Sequence, residues 1–129
     1  MGAVVWVVLG SALGGAARYW LSGAVGRHVG ETFPWGTLVV NVSGAFAIGV
    51  VAALAAGGGW MATDDAWRLA AIGFLGSYTT VSSFSLQTLA LARDGEWRQA
   101  AANVVLSVVL CMAAVAVGLV IGAALARGG

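Results

Sequence analysis

Charge is the scarcest thing in this 129-residue chain. Only 9% of residues are charged, lysine is absent, and five acids nearly cancel six arginines, leaving a net charge of +1. A soluble domain carries roughly 25% charged residues, because a small globule exposes much of what it is made of. So little charge excludes a soluble enzyme. So small a net charge excludes polyanion binding, and no nucleic-acid partner is expected. Cysteine is nearly absent too: Cys111 alone cannot form an intrachain disulfide or a metal cluster, and in its apolar run it reads as a packing residue. His28 is the only histidine and sits in a connector. No Ser–His–acid set or His/Asp/Glu metal cluster is therefore expected, and no enzymatic activity. The N-terminus lacks a basic stretch and its first apolar run is long enough to span, which argues against a cleavable signal peptide.

What the chain has instead is apolar length, with 60% of residues hydrophobic. Four stretches approach or exceed the roughly 20 residues that cross a bilayer as helix. They run over about residues 3–25, 37–56, 69–92 and 100–126. Nearly all charges fall in the short connectors between them, as the cost of burying charge in lipid demands. Trp35, Trp60, Trp67 and Trp97 lie at the edges, where an aromatic belt would sit. The runs do not alternate apolar and polar, which excludes a lipid-facing barrel. The expected fold is an all-α integral membrane protein, one four-helix transmembrane domain over residues 1–129. Asp64 or Thr63 is a candidate cap for the third helix.

Four short-looped spans put both termini on one side of the membrane. That side carries Arg68 and Arg127, and the other carries Arg27, Arg93 and Arg98. With so small an asymmetry the positive-inside rule has little to act on. Insertion in both orientations, and hence an antiparallel dimer, is the expectation; a single orientation fixed by the small bias or by a partner is the alternative. Gly10 and Gly14, Ser11 and Gly15, and Gly118 and Gly122 are each four apart, a spacing that lets helix backbones approach closely in lipid.

A few polar residues lie inside the spans. Arg18 is late in the first span, where arginine is costly unless it snorkels or faces water. It is either a snorkelling residue or an electropositive vestibule group. Asn41 lies about one turn into the second span, and it either bridges helices or turns an N–H donor into a pore. Asn103, with Ser107 one turn on, poses the same choice in the fourth span. The third span is the most unusual. It holds seven Ser/Thr between Ser77 and Thr88, preceded by Gly73 and Gly76. So many hydroxyls cannot hide on one helical face. They are either a polar packing seam or, the favoured reading, the mark of a broken helix. Unwound backbone at membrane depth survives only where protein or an aqueous path satisfies it, and such breaks bind ions. None of the five acids lies inside a span. Amides, hydroxyls and one arginine suit a small anion better than a cationic drug.

These residues resemble the CrcB/Fluc family of fluoride channels over essentially the whole chain. The matching pieces are Gly14-Gly15-Ala16-Ala17-Arg18-Tyr19 and the run from Pro34 to Asn41. The third is Gly73-Phe74-Leu75-Gly76-Ser77-Tyr78-Thr79-Thr80, continuing to Ser83-Phe84-Ser85. The run from Asn103 to Ser107 and the glycine-spaced C-terminal end match more loosely. The resemblance implies a passive fluoride-selective channel of the bacterial plasma membrane that exports fluoride and lowers its toxicity. It implies an antiparallel dimer with two pores and a structural sodium ion at the dimer centre. Backbone carbonyls at Gly76 and Thr79 would hold that ion. It further implies a fluoride path along Asn41, Thr80, Ser83, Phe84, Ser85 and Ser107, with Arg18 at the vestibule. Fluoride is small and strongly hydrated, so such a path must replace water's donors with amide N–H, hydroxyl O–H and aromatic ring edges.

The chain departs from the family pattern at two positions. Where the family has the first of two phenylalanines it has Val81, which offers no ring edge, and Gln87 stands where an acid is common. One consequence is a heterodimer with a paralogous chain; the other is a homodimer with altered conduction. Two different classes compete with the channel: a small dual-topology multidrug transporter subunit, which lacks a reason for the hydroxyl-rich third span, and a non-conducting scaffold.

Overall fold

The computed structural model describes residues 2–30 and 32–128, all of it helix and short connection. The long elements are α1 (Gly2–Val29), α2 (Trp35–Ala56) and α6 (Trp97–Gly128). Between α2 and α6 the chain makes a 3-10 turn (Trp60–Ala62). It then forms α3 (Asp64–Trp67), a π-helical stretch (Arg68–Leu75), α4 (Gly76–Tyr78) and α5 (Ser82–Arg93). Together these make four helical segments long and apolar enough to cross a membrane: Gly2–Val29, Trp35–Ala56, Asp64–Arg93 and Trp97–Gly128. Each outruns the apolar stretch read from the sequence: charged and polar end residues continue the first, third and fourth, and Trp35 and Gly36 the second. Arg27 and His28 occupy the last turn of α1, where cations complement the helix dipole.

The helix ends follow local chemistry. Thr63 caps α3, accepting from the Ala66 N–H at 3.4 Å, while Asp64 and Asp65 occupy the first turn. Arg68 pairs with Asp65 at 3.4 Å and reaches Asp64 at 4.0 Å, exposed contacts that stabilise little. At the end of α5 the Gly95 N–H donates to Ala92 O (3.1 Å) and the Glu96 N–H to Leu91 O (2.8 Å). This Schellman closure needs the positive φ of 79° that Gly95 adopts.

Packing is set by glycine. A Cβ at Gly10 would overlap the Leu69 carbonyl, and one at Gly14 the Phe74 carbonyl, so α1 lies directly on the π-helical stretch. A Cβ at Gly118 would overlap the Phe46 carbonyl and one at Gly122 would fall 2.6 Å from Val50 O, so α6 lies as tightly on α2. Gly15, by contrast, has nothing near the place of a Cβ, so the Ser11/Gly15 pair marks no contact at Gly15 within the chain. Only a small core results: Val40, Leu75 and Tyr78, where α2 meets the third span. Large apolar side chains such as Val108, Met112 and Val120 stay exposed, which suits a lipid-facing surface and not water.

The third span changes partners along its length. Its first part lies along α1. Helical backbone stops after Tyr78, Thr79 is extended (φ −78°, ψ 158°), and α5 starts at Ser82 and packs on α6. The interruption at 79–81 thus lets α5 diverge from α1.

Candidate functional site

The site is built around that interruption. Asn41, one turn and a half into α2, holds Thr80 with both ends of its amide. Nδ2 donates to Thr80 O at 2.8 Å, and the Thr80 N–H donates to Oδ1 at 2.8 Å. A primary amide is the one side chain that can supply a donor and an acceptor in the geometry of a peptide group. Of the two sequence readings of Asn41, the structure displays the bridge between helices, and one of its two N–H groups remains uncommitted. Thr80, buried, also closes the start of α5 from the residue before its N-cap Val81: its Oγ1 accepts from the Ser83 N–H at 3.1 Å and lies 3.2 Å from Ser82 Oγ.

The divergence of α5 from α1 opens two connected cavities. The outer one, about 710 Å³, lies between α1 and α5 beneath residues 32–37, with Arg27, Gln87 and Asp94 on its walls. The inner one, about 230 Å³, is lined by Arg18, Ser22, Thr37, Thr80 and Ser83, beside Tyr19 and Val40. Tyr19, Ser22, Thr37 and Ser83 belong to both, so the space runs from the loop end of the molecule down to Thr80. Among the described residues, the hydroxyls of Thr37 and Ser83 and the Arg18 guanidinium have no protein hydrogen-bond partner. No described carboxylate lies within 4 Å of Arg18. A partly enclosed space ringed by uncommitted donors and a cation, without a facing carboxylate, suits an anion that must be stripped of water.

On the other side of the interruption a third cavity, about 400 Å³ and mostly apolar, is bordered by Asn41, Gly76, Thr79, Thr80 and Val81. Gly76 is exposed and Val81 is 76% exposed. Two carbonyls here lack their helical donors. The Thr80 N–H that would reach Gly76 O is taken by Asn41, and the Ser83 N–H that would reach Thr79 O is taken by Thr80 Oγ1. Among the described residues nothing else bonds to either oxygen. Uncharged, uncommitted carbonyls at an unwound segment are the donor set that suits a monovalent cation such as sodium.

The residues singled out from the sequence therefore fall into three places. Arg18, Thr80 and Ser83 share the inner cavity, and Asn41, Gly76, Thr79 and Thr80 border the third. Ser107, Phe84 and Ser85 line none of these three cavities. Ser107 donates to Asn103 Oδ1 (3.5 Å), Asn103 Nδ2 donates to Thr88 Oγ1 (2.8 Å), and Thr88 donates to Phe84 O (2.7 Å). This thread, with Asn103 only 1% exposed, ties α5 to α6. The sequence reading missed Ser22 and Thr37 on the cavity wall. The signal was there: Ser22 is one turn past Arg18 and Thr37 one turn before Asn41, each on the same helix face as its partner.

Comparison with known proteins identifies the family. The family model for CrcB-like protein, Camphor Resistance (CrcB), matches residues 5–119. The chain is 62% identical over 116 residues to the fluoride-specific ion channel FluC 2 of Rhodopseudomonas palustris, covering 89% of this chain and 88% of that one. It is 60% identical over 116 residues to FluC 2 of Bradyrhizobium diazoefficiens, covering 89% and 85%. With the fluoride-specific ion channel FluC of Opitutus terrae it shares 54% identity over 119 residues, covering 92% and 90%. Near-full coverage at this identity, together with four membrane-length helices in one chain, settles the class: this is a multi-pass membrane protein and a member of the CrcB-like family.

Proposed function

We propose that the chain is the pore-forming subunit of a fluoride-specific channel of the bacterial plasma membrane, a single four-span domain that lets fluoride leave the cell and lowers its toxicity. The observation that carries the reading is the inner cavity, where Arg18, Thr37 and Ser83 present donors that no described residue uses. Fluoride entering from the loop end passes Arg27 and Asp94, whose charges offset each other, and then meets Arg18. The positive field raises the local anion concentration, and the hydroxyls replace lost water donors one at a time. Thr80 borders both the inner and the third cavity, and the proposed path crosses from one to the other beside it. No bond is made or broken, so no enzymatic chemistry is needed; the gradient moves the ion.

Asn41, with its second N–H, and Thr80, Ser83, Phe84, Ser85 and Ser107 are proposed for the complete path. Phe84, Ser85 and Ser107 join it through the assembly. The interruption at 79–81 is the helix break of the channel. The exposed Gly76 and Val81 face a second, antiparallel chain, either a copy or a paralogue supplying the ring that Val81 lacks. Carbonyls of Gly76 and Thr79 from both chains would there hold a structural sodium ion, which supplies a fixed positive charge that crosslinks the pair. The competing readings, a multidrug transporter subunit and a scaffold, draw no support from the relatives.

The test is a fluoride-electrode efflux assay on purified protein in liposomes, alone and reconstituted with a paralogue, in sodium and in sodium-free buffer. Fluoride efflux well above that of protein-free vesicles is expected in sodium. Background flux in every combination would overturn the reading.

A further inference from the structure

We infer that Tyr78 is a positioning residue: its hydroxyl, bonded to Ser43, fixes the last helical turn before the interruption and thereby aims the Thr79 and Thr80 groups at the path. Ser43 Oγ donates to Val40 O at 3.1 Å, so in the 2.8 Å contact between Ser43 Oγ and the Tyr78 hydroxyl, tyrosine is the donor. The ring is buried in the small core with Val40 and Leu75, and it stacks on Phe74 with centroids 5.8 Å apart and planes 15° apart. A hydroxyl on a ring so confined has one direction in which to point.

The rest of the contact has the same logic. Asn41, Ser43 and Gly44 on α2 face Thr80, Tyr78 and Thr79 in turn. Asn41 holds Thr80 by two hydrogen bonds and Ser43 holds Tyr78 by one. Gly44 leaves room for the Thr79 methyl, which a Cβ there would overlap. Three adjacent residues at the end of the helical run are thus splinted by less than one turn and a half of a neighbouring helix. Asn41 fixes the chain after the bend and Tyr78 fixes it before, so the direction of the Thr79 carbonyl between them is over-determined. The splint lies wholly within one chain. The shape of the interruption therefore precedes any partner or ion.

The consequence for flux rests on the channel reading, but the splint itself does not, and the two are read separately. Hydrogen–deuterium exchange of the full chain in lipid nanodiscs is compared for the wild type, Tyr78→Phe, Ser43→Ala and the double variant. Tyr78→Phe keeps the ring and its stacking, and Ser43→Ala removes the same bond from the other side. Each is expected to speed exchange of the Thr79 and Thr80 amides about five- to tenfold, the weight of one hydrogen bond, with α6 unchanged. The double variant is expected to match Ser43→Ala at the Thr79 and Thr80 amides, because the Tyr78–Ser43 bond is already lost there and the Ser43–Val40 bond lost with it lies within α2. Fluoride efflux is expected to fall along with the protection. Unchanged exchange in Tyr78→Phe, or multiplied effects in the double variant, would overturn the inference. The expected exchange pattern in a wild type that passes no fluoride, alone or with a paralogue, would support the splint and overturn the channel reading.

Discussion

The two halves of the third span are held in opposite ways. Before the interruption, Ala71, Gly73, Leu75 and Tyr78 are buried, and Gly10 and Gly14 bring the backbone of α1 into direct contact. After it, α5 has no buried residue at all. It is tethered by polar groups: the Thr80 hydroxyl at its start and the Asn103–Thr88 bond to α6. The difference follows from what lipid permits. Apolar surface gains nothing by leaving lipid for protein, so helices associate by close backbone approach or by hydrogen bonds. The glycine-packed half leaves no space where it meets α1; the third cavity borders it elsewhere, at Ala71, Leu75 and Gly76. The tethered half stands away from α1, and the cavities with the uncommitted donors lie in that gap. The loosely held half is the one that borders the two donor-lined cavities.

The comparison can be broken most severely at Gly14. Gly14→Ala places a methyl against the Phe74 carbonyl and is expected to cost about 1–3 kcal/mol as overpacking, read as a lower thermal denaturation midpoint in detergent. Gly15→Ala, one residue on and facing open space, is expected to change nothing; equal effects at both would mean the glycine seam is not what holds the first half. Asn103→Ala tests the other half. Loss of the Thr88 bond is expected to cost about 1 kcal/mol, with the fold intact and fluoride efflux reduced, because α5 loses its tether. A loss as large as that at Gly14 would erase the contrast. Ser83→Ala is the smallest change in stability, within about 0.5 kcal/mol. Its hydroxyl has no described partner to lose, so the expected effect is confined to flux, about five- to tenfold lower in the liposome assay. Destabilisation without loss of flux would show that Ser83 serves the helix and not the path.

Much of this was legible before any coordinates. Hydropathy located the four spans because the penalty for charge in lipid is steep enough to override everything else. Gly10/Gly14 and Gly118/Gly122 could be read as contact seams from their spacing. That the Gly15 position faces open space could not, since a four-residue repeat identifies a stripe and not what lies opposite. The hydroxyl-rich segment was visible as chemistry in the wrong solvent. Which hydroxyls remain free was not visible. Thr79 and Thr88 each donate to the carbonyl four residues back, while Ser83 does not, and that choice depends on where the helix stops. Asn41 announced that it needed partners; that both lie on one residue, 39 positions on, is a tertiary fact.

The tightest backbone contacts join α1 to the third span and α2 to α6, that is, alternate spans and not neighbours. As the ribosome threads the chain into the bilayer, the first two spans arrive without their closest mates. They touch where Gly36 meets the Ser22 backbone, but α1 waits for Gly73 to emerge and meet Gly10, and α2 waits longer still, until the last span is released. Assembly of this small protein is therefore a late event in its own synthesis, completed only when nearly every residue has been made.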